Sequence, residues 1–245
     1  MKDNFSGHAS DYKKFRPKYP SELYEFILTK VHERDAAWDC GTGNGQVAVV
    51  LSDYFERVEA TDISVQQLAQ APKRTNIAYS VNSAEESGFA ENSFDLVTVA
   101  QAVHWFEFER FFPEVKRVLK PEGVIALMGY GLVQMERGWD VMEYIYEGVL
   151  GDYWDPERKY IDDEYQSIPF EFKHIKSPKF YMEYDWTLDE FIGYLNTWSA
   201  VKHYEKAKGE NPIYLVKDQF QKIWGNHKRM KLKFPAILRI GINIK

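Results

Sequence analysis

The chain has 245 residues and a formal net charge of −6, with a pI near 5.6. This acidic balance argues against a broad nucleic-acid surface, and no apolar run of 18 residues predicts a membrane-spanning helix. The length suits one α/β domain over residues 1–245 with an insertion. The single cysteine, Cys40, excludes an internal disulfide; we expect it to be a buried packing residue, and no Cys/His spacing predicts a metal site. No charged-then-apolar leader opens the chain, so we expect a cytoplasmic protein.

Residues 1–20 are rich in polar and aromatic side chains, among them Tyr12, Arg16 and Tyr19. Two prolines prevent a helix from running to the end of this segment, and Ser21 then begins the first predicted helix. The segment is either a lid over a neighbouring crevice or a flexible leader.

A glycine-rich turn follows the first predicted strand, the apolar run from Ala36 to Cys40. The turn reads Asp39-Cys40-Gly41-Thr42-Gly43-Asn44-Gly45. Glycine tolerates a positive φ and has no side chain to hold a ligand away from the backbone. The spacing departs from the G-x-G-x-x-G pattern of dinucleotide sites, and Asp39 would repel a pyrophosphate. The turn therefore suits a ligand that carries an ammonium, a sulfonium or hydroxyl groups.

The second predicted strand ends in Asp62, which lies 62 − 41 = 21 positions after Gly41 and is followed by Ile63. At this place in an open parallel sheet, an acid stands across the crevice from the glycine turn and accepts ribose hydroxyls. The turn and the acid together predict a nucleoside-bearing cofactor.

The third and fourth strands are predicted over residues 77–82 and 94–100. Ser83 and Ala84 follow the third strand, and Gln101, His104 and Trp105 follow the fourth. Open α/β sheets place their chemistry at the carboxyl ends of the strands. We therefore expect Gln101, His104 and Trp105 to face the ligand.

The second half of the chain has a different pattern. Residues 131–170 are rich in Trp, Tyr and acids but are interrupted by glycines and a proline, which predicts a helical cap after a fifth strand over residues 124–128. We expect a sixth strand over residues 172–184, a capping box at Thr187 that begins a helix, and a seventh strand over residues 230–244 antiparallel to the sixth.

The glycine turn resembles the D/E-x-G-x-G-x-G motif of class I S-adenosylmethionine-dependent methyltransferases. Residues 60–64, 82–85, 92–97 and 119–124 resemble the later motifs of that family, in the same order. The resemblance implies a Rossmann-like, doubly wound, seven-stranded, mostly parallel sheet with an antiparallel last strand. It also implies S-adenosyl-L-methionine as cofactor, bound by Asp39, Gly41, Thr42, Gly43, Gly45, Asp62, Ile63, Ser83, Ala84 and Gln101. Ser83 stands where many relatives have Asp, so its contact to the adenine would be uncharged.

A narrower resemblance concerns the acceptor. Residues 12–20 resemble the Y-x-x-x-R-P-x-Y-P opening of methyltransferases related to trans-aconitate methyltransferase, and residues 197–199 resemble their T-W-S element. It implies a lid over residues 1–20, a small-molecule acceptor of carboxylate type, and acceptor contacts from Tyr12, Arg16, Tyr19, Trp105 and Trp198. Trp105 could instead border the sulfonium, because a ring face favours a cation, or pack under the cap, and Trp198 could pack on the sheet at a helix end.

The implied chemistry is an in-line displacement at the methyl carbon. A carboxylate acceptor is ionised at neutral pH, so positive partners such as Arg16 suffice to hold it. A phenol, an amine or a carbon acid must lose a proton, and His104 is the best-placed base for these acceptors.

Three other functions are alternatives to methylation of a small molecule. A nicotinamide-dependent oxidoreductase would need the other glycine spacing. Methylation of nucleic acid is disfavoured by the charge and by Ala100-Gln101-Ala102-Val103 in place of an Asn/Asp-Pro-Pro-aromatic motif. A non-catalytic protein that binds S-adenosylmethionine or S-adenosylhomocysteine would keep every motif. The sequence gives no oligomeric state.

Overall fold

The computed structural model describes residues 16–245, so the predicted site residue Tyr12 and most of the predicted lid lie outside the described residues. Within this range, the chain folds around one sheet of nine strands. The strands are β1 Ala36–Cys40, β2 Arg57–Asp62, β3 Ile77–Val81, β4 Phe94–Ala100, β5 Leu119–Tyr130, β6 Gln134–Met135, β7 Lys173–Ile175, β8 Phe180–Trp186 and β9 Met230–Ile242.

The first five strands are parallel in the order β3-β2-β1-β4-β5, and β9 pairs antiparallel with β5. Alternate side chains of β1 enter different cores. Trp38 packs in one, with the helix over Phe108–Val118, and Ala37 packs in the other, with the helices over Ser21–Leu28 and Gln46–Leu51. The mostly parallel, doubly wound sheet with an antiparallel last strand confirms the predicted fold class, but it has nine strands where seven were predicted.

The helices surround the sheet and form the cap. They are α1 Ser21–Leu28, α2 Gln46–Leu51, α3 Val65–Leu68, α4 Phe108–Val118, α5 Trp139–Glu143, α6 Lys159–Asp162, α7 Leu188–Leu195, α8 Ser199–Lys208 and α9 Tyr214–Trp224. Short 3-10 helices cover Val103–Trp105, Gly151–Tyr153 and Pro156–Arg158, and a π-helix covers Tyr144–Val149. No helix among the described residues is long and apolar enough to cross a bilayer.

The sixth strand predicted over residues 172–184 is two strands in the structure. β7 and β8 pair antiparallel with different parts of β9, and Pro178 lies between them. Proline has no amide hydrogen to donate to a ladder, which explains the interruption. The predicted capping box is present: Thr187 Oγ1 accepts from the amide of Glu190, and Glu190 accepts from the amide of Thr187.

A separate hydrophobic core joins the cap to the rest of the chain. Met142 and Ile145 of the cap are fully buried, and they share this core with Phe191 of α7, Phe220 of α9 and Phe234 of β9. The cap is therefore attached through α7, α9 and the antiparallel end of the sheet.

A buried carboxylate at the amino end of β4 provides a test of how the parallel strands are held. Asp95 is 5% exposed, accepts from the amide of Ala36 at 2.9 Å and lies 2.7 Å from Lys120 Nζ. We expect Lys120→Met to lower the free energy of unfolding by about 1–3 kcal/mol, because it leaves a buried acid without its cation. Urea denaturation measures this loss.

Lys116 offers the control, since its partner Glu171 is 81% exposed. We expect Lys116→Met to cost roughly 0–1 kcal/mol, as exposed ion pairs do. Equal losses in the two variants would contradict a structural role for Lys120.

Candidate active site

The turn between β1 and α2 depends on its glycines. Gly41, Gly43 and Gly45 have φ values of 68°, 56° and 79°. A Cβ at Gly41 would lie 2.7 Å from the Cβ of Ala102, and one at Gly45 would lie 2.5 Å from the hydroxyl of Tyr79. At Gly43 the same atom meets nothing within 4 Å. The bare backbone at Gly43 thus borders open space.

The carboxylate of Asp39 stabilises this turn through hydrogen bonds. Its buried carboxylate accepts from the hydroxyls of Thr42 and Thr98 and from the amide of Ala48 at 3.1 Å. These bonds connect the turn to α2 and to β4. Burial raises the pKa of Asp39 to about 6, although the three hydrogen bonds favour the ionised form.

Asp62 joins the end of β2 to the same turn. One oxygen of its carboxylate accepts from the amide of Gly43 and the other from the amide of Ser64, both at 2.8 Å. A carboxylate oxygen can accept more than one hydrogen bond. The carboxylate is therefore fixed opposite the glycine turn, as the sequence predicted.

A cavity of about 490 Å³ opens between these two strand ends. Of the predicted site residues, it is lined by Arg16, Tyr19, Asp39, Gly41, Thr42, Gly43, Asp62, Ile63, Gln101 and Trp105. We call it the large cavity.

Three predicted cofactor residues do not line the large cavity. Gly45 packs against the ring of Tyr79, and Ala84 is 2% exposed within the core beneath. The hydroxyl of Ser83 donates to Glu85, whose carboxylate also accepts from the amide of Glu107 at 3.0 Å. Ser83 thus stabilises its own loop in this structure.

Several lining residues were not predicted from the sequence. Asn44 lies inside the recognised motif, and its buried amide nitrogen has no hydrogen-bond partner among residues 16–245. Its position in the turn was a signal that sequence reasoning could have used. Tyr24 and Tyr130 come from α1 and β5 and meet the turn only in the folded protein, so no local pattern indicates them.

A smaller cavity of about 50 Å³ adjoins the large one. Four residues line both: Arg16, Gln101, Trp105 and Tyr130. His104 and Trp198 line only the small cavity, together with Trp154, Asp155 and Arg158 from the cap and Tyr194 from α7. Trp198 is 3% exposed and directly precedes α8, and its ring lies 5.3 Å from that of Trp154.

Arg16 stands at the border between the two cavities. Its guanidinium donates to the hydroxyl of Tyr130 at 2.9 Å and to the carbonyl of Thr197 at 3.0 Å. Tyr19 packs nearby, with its ring centroid 6.3 Å from that of Tyr130. The described end of the N-terminal segment is thereby attached to β5 and to the residues before α8.

Gln101 has a strained backbone at the same border. Its φ is 53°, a region that non-glycine residues rarely adopt, and its side chain donates to the carbonyl of Tyr130 at 3.4 Å. The turn of the chain after β4 brings Gln101, His104 and Trp105 to the cavities, as the sequence predicted.

His104 is buried in a positive environment. It is 5% exposed, and its Nδ1 has no hydrogen-bond partner among the residues that the structure describes. Burial, followed by the charges of Arg158 and Arg16, lowers the pKa of His104 to about 3. The imidazole is therefore neutral at physiological pH.

This burial predicts a pH-dependent stability. The unfolded chain binds a proton at His104 near pH 6.5, whereas the folded chain does not do so until about pH 3. The stabilisation by neutral His104 is therefore complete above pH 6.5 and is lost as the pH falls toward 3. Relative to His104→Gln, we expect the wild type to lose on the order of 1–2 kcal/mol between pH 7 and pH 5.

Urea denaturation of both proteins at each pH measures this difference. Asp39 titrates in both proteins, so its contribution cancels in the comparison. Parallel stability curves for the two proteins would contradict the low pKa of His104.

Comparison with known proteins identifies the family. Residues 38–127 match the family model described as a methyltransferase domain. A Dictyostelium discoideum protein named as a methyltransferase is 34% identical over 245 residues, which covers 96% of this chain and 93% of that protein. A solved structure from Anaeromyxobacter dehalogenans, named as a type II methyltransferase, is 35% identical with a TM-score of 0.86, and the match covers 94% of this chain and 99% of that one.

A Saccharomyces cerevisiae protein named as a probable S-adenosylmethionine-dependent methyltransferase is 33% identical over 138 residues, 52% of this chain and 47% of that protein. The glycine turn, the acid at the end of β2 and the sheet order agree with these matches. The chain belongs to the class I S-adenosylmethionine-dependent methyltransferases.

Proposed function

We propose that this enzyme transfers a methyl group from S-adenosylmethionine to a carboxylate oxygen of a small acid. The observation that carries the proposal is the charge of the small cavity. Arg16 and Arg158 line it together with one acid, Asp155, and its histidine is neutral; Asp162, which pairs with Arg158, lies outside the lining. An anionic group is the ligand that such a wall favours.

The large cavity fits the cofactor. Its volume of about 490 Å³ lies within the range of small-molecule sites. The Gly43 backbone faces open space, and the unpartnered amide of Asn44 and the fixed carboxylate of Asp62 supply a donor and an acceptor. We propose that these residues, with Gly41 and Thr42, hold the adenosyl part and the amino-acid part of the molecule.

The bound cofactor supplies a methyl group on a sulfonium, which is already an activated leaving group. The protein then has to align the acceptor with that methyl group and exclude water. The residues that line both cavities lie next to the place where the methyl group is transferred. Arg16 is one of them and holds the reacting carboxylate. Trp105 covers the junction.

The state of His104 favours a carboxylate over acceptors that must lose a proton. A general base works best when its pKa lies near the working pH. His104, with a pKa of about 3, has little affinity for a proton at pH 7. A carboxylate is ionised there and needs no base, so His104 acts by positioning the acceptor.

The acceptor class is tested with labelled cofactor and a panel of small acids, including trans-aconitate, citrate, fumarate and succinate, beside phenols and amines. We expect label in a base-labile methyl ester of at least one acid and none in the other two classes. Transfer to a phenol or an amine alone would refute the carboxylate assignment.

The pH dependence of turnover tests the role of His104. For the methylated acid, we expect the pH profiles of kcat for wild type and His104→Gln to have the same shape from pH 5 to pH 9, with kcat/KM lower in the variant. Asp39, with a pKa of about 6, titrates in both proteins. Any difference in shape between the two pH profiles is therefore due to His104. An ionisation near neutral pH that disappears in His104→Gln would show that it acts as a base.

The role of the glycine turn is tested without turnover. We expect Gly43→Ala to weaken binding of S-adenosylhomocysteine about 10-fold or more in calorimetry, because its Cβ enters the cavity at a positive φ. Gly88→Ala is the matched control: Gly88 has φ 74°, and a Cβ there also meets nothing within 4 Å, but it does not line the cavity. Equal affinity of both variants would place the cofactor elsewhere.

A further inference from the structure

We infer that Arg158 determines acceptor specificity by binding a second, non-reacting anionic group of the acceptor; the inference rests on the proposed carboxylate chemistry. Arg16 lines both cavities, whereas Arg158 lines only the small one. The reacting oxygen has to lie at the border, where it meets the methyl group. Arg158 is therefore placed to contact the far end of the acceptor.

Arg158 is held rigidly by its own surroundings. Its Nε donates to Asp162 at 3.0 Å, and Asp162 also accepts from the hydroxyl of Tyr146 at 3.0 Å. The guanidinium carbon lies 4.9 Å from the ring centroid of Trp154 and 5.4 Å from that of Tyr146. A preorganised cation loses little entropy when it binds an anion.

The bond to Asp162 uses only the Nε hydrogen of Arg158. A guanidinium carries four further N–H donors on its terminal nitrogens, in a geometry that matches a carboxylate, and Tyr146 is a second hydrogen-bond partner of this side chain. The side chain is 19% exposed, so a bond made there is only weakly screened by water. These features suit recognition of an anion.

The size of the small cavity limits the acceptor. Its volume is about 50 Å³, against about 490 Å³ for the large cavity. Beyond the border there is room for a small group such as a carboxylate. The inferred acceptor is therefore a short acid with two anionic groups.

Replacing Asp155 tests the inference through an effect on acceptor binding that is opposite to the effect of replacing Arg158. Its carboxylate lines the small cavity and repels an anion there, and one of its oxygens has no hydrogen-bond partner among residues 16–245. Neutralising Asp155 should therefore strengthen binding of a dicarboxylate, whereas neutralising Arg158 should weaken it.

The experiment compares dicarboxylates with their monoamides, fumarate with fumaramate and succinate with succinamate, which have nearly the same shape but one charge fewer. In labelled-methyl assays, we expect the wild type to show a KM about 10- to 100-fold lower for the diacid at similar kcat. Arg158→Gln should lose this preference, Arg158→Lys should retain part of it, and Asp155→Asn should lower the KM for the diacid several-fold. Arg110→Gln is the control, because Arg110 is 57% exposed on α4 and lines neither cavity.

A second measurement does not depend on turnover. In enzyme with isotope-labelled histidine, the ring signals of His104 are assigned by their absence in His104→Gln. We expect succinate, added in the presence of S-adenosylhomocysteine, to shift these signals in the wild type and in Arg110→Gln but not in Arg158→Gln. The thermal midpoint of each variant shows whether it is folded.

The outcomes separate this inference from the proposed function. One outcome is that acids are methylated but the KM is equal for diacid and monoamide, both in the wild type and in Arg158→Gln. This outcome overturns the inference and still supports the carboxylate chemistry. A succinate-induced shift of His104 that needs Arg158, with no acid methylated, supports the anion site and refutes the proposed function. If succinate fails to shift His104 in the wild type and no diacid is preferred, the inference is wrong.

Discussion

The carboxylate of Asp62 accepts hydrogen bonds from the amides of Gly43 and Ser64 and so joins the carboxyl ends of β1 and β2. The rest of the site depends on this connection. It fixes the glycine turn in its left-handed conformation, and Asp39 supports the same turn from the side of β4. The large cavity is the space that remains between the strand ends. Within the turn, a Cβ at Gly41 or Gly45 would clash with Ala102 or Tyr79, so these two positions require glycine.

Different parts of the chain form the two cavities. Short-range features of the parallel sheet form the large cavity, whereas the cap and α7 complete the small one. The charges follow this division. Asp39 and Asp62 line the large cavity, Arg158 and Asp155 line the small one, and Arg16 lines both. A cationic donor and an anionic acceptor would each meet the opposite charge, which supports the proposed function.

Sequence reasoning succeeded where the signal is local. The glycine turn, Asp62, the strands up to β5 and the Thr187 capping box are each indicated by neighbouring residues. It failed where contacts between distant segments decide, as for Tyr24 of α1 and Tyr130 of β5, which line the large cavity. It also missed two local features: Pro178 divides a strand predicted as one, and Ser83 bonds to Glu85 instead of lining the large cavity.

The small cavity shows the same limit. Nothing in residues 131–170 distinguishes Arg158 from other surface cations until the fold brings it beside His104. The cytoplasmic location, the absence of a nucleic-acid partner and the trans-aconitate-like subfamily stay predictions.

Strand β9 has a consequence for how the protein is made. Its 13 residues pair with β5, β6, β7 and β8, and it comes after all of them in the chain. During synthesis, the strand edges of β5, β7 and β8 that pair with β9 stay unpaired until β9 has left the ribosome. Unpaired strand edges invite association between chains. The nascent chain is therefore most vulnerable to aggregation in the interval just before β9 emerges.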